Sequence, residues 1–176
     1  EIDREFAEFD PADAEVIDRD ATSTTYETES GLKVVLQSPV AVNVREEGGD
    51  WVPSVNEFTS VEDSGWGQDV HPLQPSLSSS ASATGGLSVS ADGYDVDFTL
   101  LGASDSPAQE LTSGALWWTQ HEGVIYPEVF DDVDLTYELL PGSIKETLIL
   151  DSRPARTSWT WRVDADGLEL EIDERF

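Results

Sequence analysis

The dipeptide Pro141-Gly142, set between two apolar runs, limits what this chain can fold into more than any other feature. Proline presets the backbone of the first turn residue and glycine accepts the left-handed second, so the flanking segments must return on each other as antiparallel strands. Counting outward from the turn places Leu139 opposite Ile144, Leu135 opposite Leu148 and Val133 opposite Leu150. The other face then pairs Glu138 with Lys145. A second dipeptide, Asp166-Gly167, is of the kind favoured in two-residue hairpins. It registers Ala165 with Leu168, Val163 with Leu170 and Trp161 with Ile172, and puts Arg162 opposite Glu171 on the wet side. In both places a turn identified without reference to hydrophobicity separates apolar from charged side chains, as expected for antiparallel sheet with one face in a core.

Similar strand signals recur along the chain: Thr24-Thr25-Tyr26, Lys33 to Leu36, Val40 to Val44, Trp51-Val52, Leu87 to Ser90, Val96 to Leu101 after the Asp92-Gly93 turn, Ala115 to Trp118, and Val124 to Tyr126. No segment has a helical period. The predicted fold is all-β, an antiparallel β-sandwich-like domain over residues 24–176. Residues 1–23 read as an acidic N-terminal arm, solvated between scattered apolar residues. Residues 60–86, rich in Ser, Gly and Pro, read as a long surface loop. With 176 residues, 38% of them hydrophobic, the chain has enough material for a core.

Charge narrows the partners. The 37 Asp and Glu oppose 9 Lys and Arg for a formal net charge of −28, which repels nucleic acid and anionic membrane surfaces. Three readings of this acidity compete: a solvated coat, cation binding, and docking to a basic partner; the coat is the plainest. Cysteine is absent, which removes disulfides, thiol nucleophiles and zinc-thiolate sites. No apolar run approaches the roughly 18 residues of a membrane span, so no membrane insertion is expected. Glu1 is neither a Met nor the start of a signal peptide, and the chain reads as a processed or excised piece.

Little in the sequence points to catalysis. His71 and His121 lie in connections and are expected on the surface rather than as a metal pair. No Gly-x-Ser-x-Gly elbow is present, and among so many acids no glycosidase-like pair stands out. The Asp-rich turns, of which Asp131, Asp132 and Asp134 are the metal candidates, offer oxygens to calcium but lack the spacing of a twelve-residue calcium loop. Calcium is the single cofactor considered, and turn or surface acids are the plainer reading. Trp117 and Trp118 put neighbouring indoles on opposite faces of a strand. With Tyr126 and Phe130 they form the candidate set for partner docking or, second, for glycan stacking.

Three stretches carry a family resemblance: Thr22 to Tyr26 with the turn at Gly31; Pro39-Val40 through Trp51-Val52-Pro53-Ser54-Val55; and Ile125 to Tyr137, followed by Lys145-Glu146-Thr147-Leu148-Ile149-Leu150. Between about Ala21 and Val163 the order of segments resembles the region preceding the repeats in secreted RHS/YD-repeat proteins of Gram-positive bacteria, the polymorphic-toxin and wall-associated kind. Where that family commonly has Pro-Gly before Val-Asp, this chain has Asp131-Asp132, and it carries no YD repeats. The resemblance implies an extracellular or cell-wall-associated, non-catalytic module that packs on or plugs a repeat shell, its partner being the rest of the parent polypeptide or its processed fragments. The alternative is a carbohydrate-binding sandwich, with calcium assisting.

Overall fold

The computed structural model describes residues 9–62, 65–112, 114, 122–153, 156–169 and 171. Its regular structure is all antiparallel β, apart from one turn of 3-10 helix at Pro11–Asp13 that Asp10 caps by accepting from the Ala12 N–H. The chain divides into two units, Glu1–Ser54 and Val55–Phe176.

In the first unit β1 (Glu15–Arg19), β2 (Ser23–Glu27) and β3 (Lys33–Gln37) form a three-stranded meander, and β4 (Asn43–Arg45) pairs with β5 (Trp51–Pro53) as a hairpin. Glu15–Arg19 was expected in a solvated arm; it is instead an edge strand, where charged side chains suit the open side of a sheet. Asp20 builds the β1–β2 turn, its carboxylate accepting from the Thr22 and Ser23 N–H groups at 2.8 Å each, and these bonds hold its pKa below the ordinary value. Asn43 is buried and donates to the Asp20 and Ser23 carbonyls at 2.7 and 2.9 Å, fastening the start of β4 to that turn.

The second unit is a two-sheet sandwich. Its strands are β6 (Thr59–Val61), β7 (Gly65–Gly67), β8 (Ser76–Leu77), β9 (Leu87–Ala91), β10 (Tyr94–Leu100), β11 (Gln109–Leu111), β12 (Gly123–Phe130), β13 (Val133–Leu140), β14 (Ser143–Leu150) and β15 (Trp161–Ala165). One sheet runs β15-β10-β9-β8-β7-β6 and the other β11-β12-β13-β14. Phe58, Leu77, Leu87 and Leu100 from the first side meet Val124, Tyr126, Val129, Val133, Leu135, Tyr137 and Leu139 from the second in one core.

The Pro141-Gly142 hairpin has the expected register from Leu140↔Ser143 out to Val133↔Leu150, with Gly142 at φ 62°. One part of that expectation needs correction. Glu138 was assigned to the wet face, yet it is only 2% exposed, because β13 is an interior strand whose second face is also covered; Thr136, on that face too, is 1% exposed. Lys145 Nζ neutralises Glu138 at 2.8 Å while remaining 44% exposed. Replacing Lys145 with Met therefore strands a buried carboxylate. The expected loss in urea unfolding is about 2 kcal/mol, below the usual cost of breaking a fully buried pair because one partner is half in water, and a second change, Glu138→Gln, should recover part of it.

The stretch 60–86 is also corrected. It contains β6, β7 and β8, and Leu77, Ala81, Gln68 and His71 within it are buried. Strands of two or three residues are too short for alternation to register in the sequence. Gln68 holds the segment in place, donating to the Glu57 carbonyl at 2.7 Å and accepting from the Val70 N–H at 3.0 Å.

The Asp166-Gly167 hairpin does not form as registered over the described residues. β15 pairs with β10, from Val96↔Ala165 to Leu100↔Trp161, and Leu168 and Glu169 beyond the turn are not in a strand. Leu170 and Ile172 lie outside the described residues.

Candidate functional site

The stretch from Ile125 to Tyr137 builds the centre of the sandwich. β12 pairs with β13 from Gly123↔Glu138 to Tyr126↔Leu135, then shifts register before Phe130↔Val133. At the irregularity Glu128 takes φ 50°, and its exposed backbone groups all find partners: its N–H donates to Asp134 Oδ1 at 2.7 Å and its carbonyl accepts from Ser104 Oγ at 2.5 Å. Ser106 Oγ donates to the Pro127 carbonyl, and the Ser104 N–H to the Val129 carbonyl at 2.8 Å. Asp132, at φ 59°, closes the turn into β13.

This arrangement decides the fate of the candidate residues. Tyr126 was placed in the docking set, but its pairing opposite Leu135 turns it into the core. It is 1% exposed, its hydroxyl donates to the Ser78 carbonyl at 2.6 Å, and its ring meets Tyr137 edge-on at 6.2 Å. Burial pushes the Tyr126 and Tyr137 phenols above their ordinary pKa. Removing the hydroxyl in Tyr126→Phe leaves the Ser78 carbonyl unpaired and is expected to cost about 1–2 kcal/mol in denaturant titration, with no change of fold.

Phe130 is half-buried against the core, and the Arg156 guanidinium sits over its ring at 4.0 Å. Trp117 and Trp118 lie outside the described residues. The three metal candidates are not brought together. Asp132 Oδ2 accepts from Ser152 Oγ at 2.7 Å, Asp134 holds the Glu128 N–H, and Asp131 is exposed on the turn. Among the described residues no three ligating side chains converge.

Other acids behave similarly on the outer face of β9, β10 and β15. Ser88 Oγ donates to Asp97, Ser90 Oγ to Asp95 at 2.5 Å, and Arg162 Nε to Asp164 Oδ2 at 2.7 Å. Asp97 lies directly opposite Asp164, a like-charge pair that these donors offset.

Two features were not foreseen. His71 is fully buried: its Nδ1 accepts from the Leu73 N–H at 3.2 Å, so the Nε2–H faces the Leu140 carbonyl at 3.1 Å. Desolvation lowers its pKa, opposed in part by the Leu140 carbonyl. Tyr137 donates to Glu146 Oε2 at 2.7 Å at the β14 side of the sandwich. Burial of that carboxylate raises its pKa although the residue's outer atoms are exposed; the Trp161 indole N–H is near it but outside hydrogen-bond geometry.

Among the described residues several large apolar side chains are exposed. Tyr94, Val163 and Leu168 are 48, 37 and 44% exposed. Val163 lies opposite Phe98, on the face that Tyr94 shares by strand alternation, and the Tyr94 ring lies beside Gly167, within 3.9 Å of where its Cβ would be. Tyr94 was legible as the residue after a two-residue turn on the Phe98 face.

No protein-family model, curated protein or solved structure matches the chain. Among the described residues no helix is long and apolar enough to cross a membrane.

Proposed function

We propose that the chain is a non-catalytic structural module of a large secreted bacterial repeat protein, and that the edge formed by Tyr94, Val163 and Leu168 packs against the repeat shell of the same polypeptide. The observation that carries this reading is the use made of the Ile125–Tyr137 stretch. Its apolar side chains fill the core and its polar atoms satisfy a bulge and a turn, so the motif behind the family resemblance is architecture. The shifted ionisable groups support the same reading: Asp20 holds a turn, His71 bridges backbone groups, and the Tyr137–Glu146 pair joins β13 to β14. Val163 on the edge strand β15 and Tyr94 on the same face of the neighbouring β10 leave apolar surface exposed, and such surface suits contact with another body.

Co-expression with the adjoining repeat region tests the proposal. The expected result is a complex that survives size-exclusion chromatography and is weakened about tenfold or more by Tyr94→Asp together with Val163→Asp, since charges are then forced into an apolar contact. Failure of the unsubstituted pair to associate, or equal association of the double variant, overturns it. A glycan array read with and without calcium examines the carbohydrate alternative; saturable binding of one sugar class there would displace the structural role.

A further inference from the structure

Among the described residues, fourteen of the fifteen buried apolar side chains belong to the unit Val55–Phe176; the unit Glu1–Ser54 contributes Val34 alone. What else is buried in β2 to β4 is polar, Thr24 and Asn43, while Ile17, Val35, Leu36 and Val40 remain exposed. Residues 1–54 also hold 14 acids against 4 bases. Glu15 on β1 stands directly opposite Glu27 on β2. The ion pairs among the described residues, Lys145–Glu138 and Arg162–Asp164, both lie in the other unit, and Lys33, opposite Glu27 on β3, forms neither of them. Cross-strand like charges oppose pairing, and a unit of this size is marginal even with an ordinary core.

We infer that the first unit is a folding element operated by ionic strength: when its charges are screened the five strands hold, and when they are not the strands open while the sandwich stays folded. One buried valine offsets little of the entropy of ordering β1 to β5, so the unit tolerates little self-repulsion. In dilute salt the Debye length is ~30 Å, and the acids repel one another across the whole of a unit this small; near 1 M salt it falls to ~3 Å and most of the repulsion is gone. The strand ladders, with the bonds that Asp20 and Asn43 make around the β1–β2 turn, then suffice. Residues 55–176 carry 23 acids against 5 bases, yet their continuous core holds them together in either condition. Opening at low ionic strength releases the run Val34-Val35-Leu36 as extended apolar chain between acidic flanks.

Hydrogen exchange of the full chain at neutral pH, in about 0.02 M and about 1 M NaCl, tests the inference. The paired amides of β2 and β3 are expected to gain about tenfold or more in protection at the higher salt, and those of β12 and β13 to stay protected in both. KCl at equal ionic strength should act as NaCl does, because screening does not depend on which cation supplies it. Glu15→Gln removes the charge opposite Glu27 and is expected to raise β1–β2 protection in low salt while changing it little in high salt. Protection of β2 and β3 that is equal at the two salt levels, that responds to one cation and not the other, or that is lost only together with β12 and β13 overturns the inference. A Glu15→Gln protein with the salt response of the parent does so as well.

Discussion

Gly123→Ala is expected to destabilise the sandwich by about 3 kcal/mol or more, and to prevent accumulation of folded protein if the margin is smaller than that. A Cβ at this position would stand 2.3 Å from the Tyr137 carbonyl oxygen on the neighbouring strand. The obstacle is backbone of the paired strand, so no rotamer change relieves it; β12 must move away from β13, and with it Val124 and Tyr126 leave a packed core. Gly48→Ala is the matched control, since a Cβ there meets nothing within 4 Å and the expected change is within about 0.5 kcal/mol. Parallel urea titrations of the two variants check the contrast. A Gly123→Ala protein as stable as the parent would mean that β12 and β13 are not paired as described.

His71→Leu is expected to cost about 3 kcal/mol at neutral pH, because it leaves the Leu140 carbonyl and the Leu73 N–H without the ring that joins them. The cost should depend on pH in a definite direction. The folded state holds His71 neutral with a lowered pKa, so the unfolded chain takes up the proton first, near the ordinary value of about 6.5. Below that pH the unfolded state binds more protons, stability falls with acidification, and the fall ends once pH passes the folded value. The penalty of His71→Leu is therefore largest above about pH 6.5 and shrinks below it. Glu146 acts in the opposite sense: its raised pKa opposes folding at neutral pH, and that opposition is relieved as pH falls. Comparing parent and His71→Leu at each pH cancels the Glu146 contribution and that of the acidic surface. A penalty constant from pH 8 to 5 would show that His71 does not titrate through folding.

Legibility followed how local the determining contacts are. The Pro141-Gly142 hairpin was readable residue by residue, since turn type and alternation fix all its pairs within ten residues of the turn. Asp92-Gly93 was readable for the same reason, with both residues at positive φ and Ala91 opposite Tyr94. Asp166-Gly167 carries the same local signal, but Leu168 and Glu169 after it are not in a strand, and the partner of β15 among the described residues is β10, more than sixty residues away in sequence. His71 was expected on the surface, and its burial was not legible because the ring's partner, the Leu140 carbonyl, is 69 residues distant. Glu138 was read as wet because alternation reports which side a residue faces and not whether that side is covered. Tyr126 is a different kind of error: its position opposite Leu135 sends it inward, and its aromatic character alone had suggested a surface role.

Native-state hydrogen exchange of the chain tests most directly whether the Ile125–Tyr137 stretch is framework. The backbone amides that β12 and β13 bond to each other should be the slowest in the protein, exchanging only through global opening of the sandwich and losing protection in step with Tyr126→Phe. Early exchange of these amides while β9 and β10 stay protected would contradict the account, because the segment said to hold the module together would then open on its own.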